Sequence, residues 1–126
     1  MFAQAGAALA YGPVIAPGLA VYHWSDLGCY QFVVNNLQSP QVRQFIEDHL
    51  GPILSEKLAE KRAAEMATLE ALLSGDTIPA IADRLRMHKQ TIAFRKKKLE
   101  DKMEVDLDAL STRVNLAMAL KIHQMS

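Results

Sequence analysis

The sequence contains a single cysteine, Cys29, among its 126 residues. One thiol cannot form an internal disulfide, and it cannot build a zinc site of several cysteines. The 4 histidines show none of the short spacings that are typical of metal or catalytic motifs. We therefore expect no metal site and no cofactor, and we interpret Cys29 as a small buried hydrophobic residue.

Long apolar runs and recognisable catalytic motifs are also missing. The N-terminal stretch is apolar, but Gly12, Pro13, Pro17 and Gly18 interrupt it and no basic segment precedes it, which argues against a signal peptide. No run reaches the ~20 apolar residues that a membrane span needs. There is no glycine-rich phosphate loop and no nucleophile elbow. These absences predict a cytoplasmic protein that does not span a membrane and is not an enzyme.

Aromatic residues are few, at 6% of the chain, whereas residues with high helix propensity are plentiful. The chain length suits one compact domain. Apolar spacing and capping residues predict helices over residues 25–37, 40–51 and 111–125, and one long helix or a broken pair over residues 53–74. Residues 2–11 predict a short helix and Leu19–Trp24 a strand. The expected fold class is therefore all-α, a helical bundle with a C-terminal helix-turn-helix plus one short N-terminal strand.

One stretch of the chain has no negatively charged residue, although the formal net charge of the whole chain is +0. From Arg84 to Lys98 there is no Asp or Glu, and five acidic residues follow between Glu100 and Asp108. Such segregation permits a strongly positive field on one face of a neutral protein. The mixed charge run over residues 56–65 is interpreted as a solvated helix face.

The stretch from Asp76 to Met103 predicts two short helices joined by a tight turn. Asp76 or Thr77 is expected to cap the first helix, and the turn is expected at Arg86 and Met87. His88 is expected to cap the second helix. A projection at 100° per residue turns one side of that helix inward and the opposite side outward. The inward residues are Ile92, Leu99 and Met103, and the outward ones are Gln90, Ala93, Phe94 and Lys97.

The outward residues predict contacts with DNA, because the N-terminal half of the second helix of such a motif enters the major groove. Gln suits adenine edges and Lys suits guanine acceptors or phosphate. A basic helix taken alone is more often a solvated surface, so the alternative is a protein-interaction or dimerisation module with little DNA affinity. The predicted base contacts are Lys89, Gln90, Ala93 and Phe94, and the predicted phosphate contacts are His88, Thr91, Arg95, Lys97 and Lys98.

The run IPAIADRLRMHKQTIAFRKKKLEDKMEVDLDALSTRVNLAMAL resembles the C-terminal helix-turn-helix of the PucR/CdaR family of bacterial transcriptional regulators, a Fis-like motif. Upstream, residues 26–30 match the family's D-L-G-x-Y, and residues 50–54 match its L-G-P-x-L. The sequence departs from the family pattern at Gln90, Ala93, Phe94 and Lys96. The positions that match in register are His88, Thr91, Arg95, Glu100, Asp106, Leu107, Arg113, Ala119 and Leu120.

The resemblance implies sequence-specific binding of double-stranded DNA through a recognition helix over residues 88–102. Family members carry an upstream sensor region, often ending in a GGDEF-like domain whose last strand precedes D-L-G. Residues 1–24 are accordingly expected to be a remnant of an upstream domain or linker, and residues 25–126 the DNA-binding domain. Any effector is expected to bind a region absent from this chain. The broad apolar arc of the last helix suits core packing, and part of it suits a homodimer contact.

Overall fold

The computed structural model describes Gly28 and residues 30–126, and this part of the chain contains five α-helices and no strand. None of these helices is long and apolar enough to cross a bilayer. The all-α class is confirmed, whereas the helix and strand predicted within residues 2–24 lie outside the described residues. The helices are α1 (Pro40–Leu54), α2 (Ala59–Leu72), α3 (Ile78–Leu85), α4 (Lys89–Met103) and α5 (Leu110–Met125).

The described chain divides into two compact units, with the boundaries inside α1 and α5. The first comprises residues 30–46 and Met118–Ser126, and its core is formed by Val34, Leu37, Ile122 and Met125. The α-helix predicted over residues 25–37 is wrong in its described part, where Val34–Asn36 is a 3-10 helix. The backbone bonds here reach back three residues, as from Asn36 to Val33 at 2.9 Å, and asparagine side chains compete with α-helical bonding.

Helix α1 begins where the sequence predicts but ends later. The Oγ of Ser39 accepts a hydrogen bond from the amide of Val42 at 3.2 Å, which caps the helix at Pro40. The expected stop at Gly51 and Pro52 is wrong, since α1 continues to Leu54 with Pro52 inside it. An interior proline costs about 3 kcal/mol, and the complete burial of Leu50 and Ile53, at about 1.5–3 kcal/mol each, offsets that cost.

The second unit, Glu47–Ala117, contains the predicted helix-turn-helix. Residues 53–74 are neither one long helix nor a broken pair, because the range holds the end of α1 at Leu54 and one helix, α2, that begins at Ala59. Helices α2, α3 and α4 contact one another pairwise. One apolar residue from each is almost completely buried, namely Leu69, Ile81 and Ile92. Burial of these three side chains stabilises the packing of α4 against α2 and α3.

Candidate nucleic-acid interface

The start of α3 distinguishes between the two predicted caps. The Oγ1 of Thr77 accepts a hydrogen bond from the amide of Ala80 at 3.3 Å, so Thr77 is the cap. Pro79 occupies the first turn, where its missing amide proton leaves no intrahelical bond unmade. Asp76 instead accepts from Nη1 of Arg84 at 2.8 Å. Arg84 therefore forms an ion pair with Asp76 at the surface.

The turn between α3 and α4 is built around Arg86, whose backbone is left-handed at φ 56° and ψ 44°. The amide of Arg86 donates to the carbonyl of Asp83 at 3.3 Å, and the amide of Met87 donates to that of Ala82 at 2.9 Å. These two bonds form a Schellman motif, which terminates α3 sharply. Ala82 is only 4% exposed, as a small residue at a close helix contact should be.

His88 caps α4, as predicted, and the cap fixes its tautomer. Its Nδ1 accepts a hydrogen bond from the amide of Gln90 at 3.1 Å. An accepting Nδ1 carries no proton, so the proton of the neutral imidazole lies on Nε2. The exposed Nε2 remains available as a donor. Capping and the predicted phosphate contact therefore use different atoms of the same ring.

The two faces of α4 agree with the helical projection. Ile92, Leu99 and Met103 are 1%, 3% and 8% exposed, so the predicted inward side is confirmed. The four predicted base contacts are all exposed, and Phe94 is 63% exposed. The ring of Phe94 is therefore accessible from solvent on the outer face of α4. The predicted phosphate contacts are exposed as well, except that Arg95 is half-buried.

Several cations of the basic stretch have partners that the linear sequence does not show. Nζ of Lys96 lies 2.8 and 2.9 Å from the two carboxylate oxygens of Asp108, and its hydrogen bond lowers the pKa of that carboxyl. Lys97 makes an exposed ion pair with Asp101 at 3.3 Å. The Nζ of Lys98 lies 5.4 Å from the ring centroid of Phe94, within cation-π range.

The positive surface that remains is smaller than the sequence suggests. Within residues 28 and 30–126, Arg86, Lys89 and Arg95 have no acidic partner, and Lys98 has only its aromatic neighbour. Lys97 joins them once a stronger anion displaces Asp101, because an ion pair whose side chains are 73% and 67% exposed contributes little. The positive charge therefore lies along the exposed sides of α4 and at the turn before it.

The charge run over residues 56–65 is not simply a solvated face, contrary to the prediction. Nζ of Lys102 lies 2.7 Å from carboxylate oxygens of both Glu56 and Glu65. The three side chains are only 26%, 16% and 15% exposed. The hydrogen bond from Lys102 lowers the pKa of Glu56, and the two carboxylates raise the pKa of Lys102. This triad, Glu56, Glu65 and Lys102, attaches the C-terminal end of α4 to α2 and the loop before it.

No local signal predicts the triad, because its members lie 46 and 37 residues apart in the chain. The other end of α4 is closed by a second left-handed residue, Glu104, at φ 56°. The amide of Val105 donates to the carbonyl of Glu100 at 3.1 Å, as in the turn before the helix. In the part of the chain that the structure describes, no three His, Cys, Asp or Glu side chains converge on a metal-sized site.

Comparison with known families supports this reading of the second unit. Residues 66–122 match the family model of the PucR C-terminal helix-turn-helix domain, and the match includes all of α3 and α4. A domain of this kind indicates a DNA-binding transcription regulator. No curated protein and no solved structure shows a significant match to the chain.

Proposed function

Since residues 66–122 match the family model of the PucR C-terminal helix-turn-helix domain, we propose that the chain binds double-stranded DNA sequence-specifically and regulates transcription. The observation that carries the proposal is the exposed outer face of α4. Its base-reading candidates point to solvent, while the opposite face is anchored by Ile92 and Leu99. Because the buried face of α4 packs in the core and the residues on its opposite face are exposed, α4 can enter the major groove without rearrangement of the core.

The residue roles follow from where each side chain lies on α4. Lys89 and Gln90, in the first turn, are the direct readers, with Gln90 paired to adenine. Ala93 and Phe94 lie one turn further along, and a thymine methyl is the base group that suits their apolar surfaces. The backbone phosphates are assigned to His88 through Nε2 and to four further residues: Thr91, Arg95, Lys97 and Lys98.

A pair of substitutions tests these roles. Duplexes that bind the chain are first selected from a random pool, and affinities are then measured for the selected duplex and an unrelated one. We expect Lys97→Ala to weaken both by a similar factor, because a phosphate contact is present on any sequence. Gln90→Ala is expected to weaken mainly the selected duplex, by about 1–3 kcal/mol.

Lys57→Ala serves as the matched control, since Lys57 is an exposed lysine outside the helix-turn-helix without a partner in the described part of the chain. Its affinity for both duplexes should equal that of the unmodified protein. Equal losses from Gln90→Ala on the two duplexes would refute its role as a base reader.

A dimerisation module is the second candidate, and one observation favours a dimer contact. Leu110 and Val114, one turn apart on α5, are 77% and 56% exposed, although both are apolar. Such a pair suits a homodimer contact, which a dimerisation module needs and which binding to a two-fold operator would also use. Sedimentation of the chain should show dimers, and a Leu110→Lys, Val114→Lys variant should shift them to monomers. A monomer at every concentration of the unmodified protein would exclude this contact.

A further inference from the structure

A cleft of about 160 Å³ lies between α2 and α4. Its lining includes Ala64, which is exposed, and Thr68 and Leu99, which are only 5% and 3% exposed. The hydroxyl of Thr68 already donates to the carbonyl of Ala64 at 2.8 Å, so it needs no hydrogen-bond acceptor on a ligand. The volume is close to that of an engineered cavity of about 150 Å³ that holds benzene. An apolar group the size of one ring therefore fits the cleft.

Three cations, Lys61, Arg95 and Lys98, also line this cleft. Arg95 is half-buried, yet within the described residues its guanidinium makes no hydrogen bond or ion pair. A guanidinium carries five N–H donors, so those of Arg95 are available to an anion that enters the cleft. The acidic residue of the lining, Glu65, is held by Lys102 at 2.7 Å. The cleft thus presents an open guanidinium beside an apolar wall.

We infer that the cleft binds a small organic anion with one carboxylate or phosphate and an apolar body about one ring in size. The guanidinium of Arg95 binds the anionic group through its planar fork. Lys61 and Lys98 flank that group, and the ring lies against Ala64 and the small exposed part of Leu99. A bare phosphate of the DNA backbone would meet the same cations but would leave the apolar wall uncovered, so an organic ligand fits the cleft better.

The site also offers a means of regulation, and this part alone rests on the proposed DNA binding. Arg95 and Lys98 are proposed phosphate contacts as well as lining residues of the cleft. One guanidinium cannot bind two anions at full strength, so a ligand in the cleft and a DNA duplex compete. Occupancy of the cleft therefore weakens DNA binding.

Benzoate titrated into the full chain without DNA, followed by NMR chemical shifts, tests the site. We expect saturable binding with Kd on the order of 1 mM, the range of a small fragment. Benzamide, which lacks the charge, and acetate, which lacks the ring, should each bind about tenfold more weakly. Arg95→Gln should weaken benzoate about tenfold, and Lys61→Ala about threefold.

Lys57→Ala, which removes a nearby lysine outside the cleft, should leave benzoate affinity unchanged. Benzamide binding as well as benzoate, or full affinity in both Arg95→Gln and Lys61→Ala, would overturn the anion site. Absence of saturable benzoate binding would overturn it equally.

A second arm measures duplex affinity with and without about 10 mM benzoate, roughly ten times the expected Kd, with sodium chloride replacing sodium benzoate to keep the ionic strength equal. At ten times Kd, competition should weaken duplex binding about tenfold. The loss should be smaller in Lys61→Ala, which is not a proposed DNA contact. Benzoate that binds without weakening the duplex would refute the regulatory part. If no duplex binds at all, the proposed function fails, while the direct titration still decides the cleft.

Discussion

Arg86 provides the sharpest test of the turn that sets α4 against α3. Its backbone is left-handed at φ 56°, a conformation in which the Cβ of an L-residue crowds the following carbonyl. The cost is about 1–2 kcal/mol for a residue other than glycine. Glycine avoids this cost, but it gives the unfolded chain about 0.4–1 kcal/mol more conformational freedom to lose. The net expectation is that glycine at this position is more stable than alanine by about 0.5–1 kcal/mol.

The comparison is made between Arg86→Gly and Arg86→Ala, because both remove the same exposed guanidinium. Urea unfolding followed by circular dichroism gives the two free energies of unfolding. Asp83, exposed inside α3, supplies the matched control, and there Asp83→Gly should be less stable than Asp83→Ala by about 1 kcal/mol. If Arg86→Gly proves less stable than Arg86→Ala, the left-handed turn described for α3 is wrong.

Two further predictions concern the packing of α4. Ile92→Ala should lower the free energy of unfolding by about 3 kcal/mol, since Ile92 is 1% exposed, and a loss below about 1 kcal/mol in urea unfolding would contradict its burial. Lys102→Met should destabilise the chain most at intermediate pH. The lowered pKa of Glu56 contributes stability above its ordinary value of 4.5 that is lost as the pH falls through the lower folded value. The raised pKa of Lys102 contributes stability below 10.5 that is lost above the folded value. A difference from the unmodified protein that does not shrink at acid pH would refute the triad.

The local features of the motif were predictable from the sequence because they depend on near neighbours. The 3.6-residue period places Ile92 and Leu99 on one side of α4, and Thr77, Ser39 and His88 are recognisable caps. The left-handed Arg86 was not predictable, because arginine disfavours that conformation and the usual glycine signal is missing. The two local Schellman hydrogen bonds, to the carbonyls of Asp83 and Ala82, accompany that conformation.

Pairings between distant residues account for the rest of what the sequence did not show. Lys96 resembles its neighbours in the basic stretch, yet it pairs with Asp108, and Lys102, just beyond that stretch, pairs with Glu56 and Glu65. Only packing of α4 against the remainder of its unit brings these acids close. The linear sequence therefore suggests more unpaired positive charge on α4 than the structure leaves. Pro52 likewise predicts a helix end, because the burial of Leu50 and Ile53 that stabilises α1 through this proline depends on tertiary packing.

The salt dependence of duplex affinity measures the proposed binding of α4 to the DNA backbone. Arg95, Lys97 and Lys98 are the proposed cationic phosphate contacts, and three such contacts predict a slope of log K against log salt of about −2.7. Raising the salt from 50 to 200 mM should then weaken binding by roughly 40-fold per recognition helix, and Lys97→Ala should make the slope shallower by about 1. No binding at low salt, or an affinity that does not change with salt, would contradict the account.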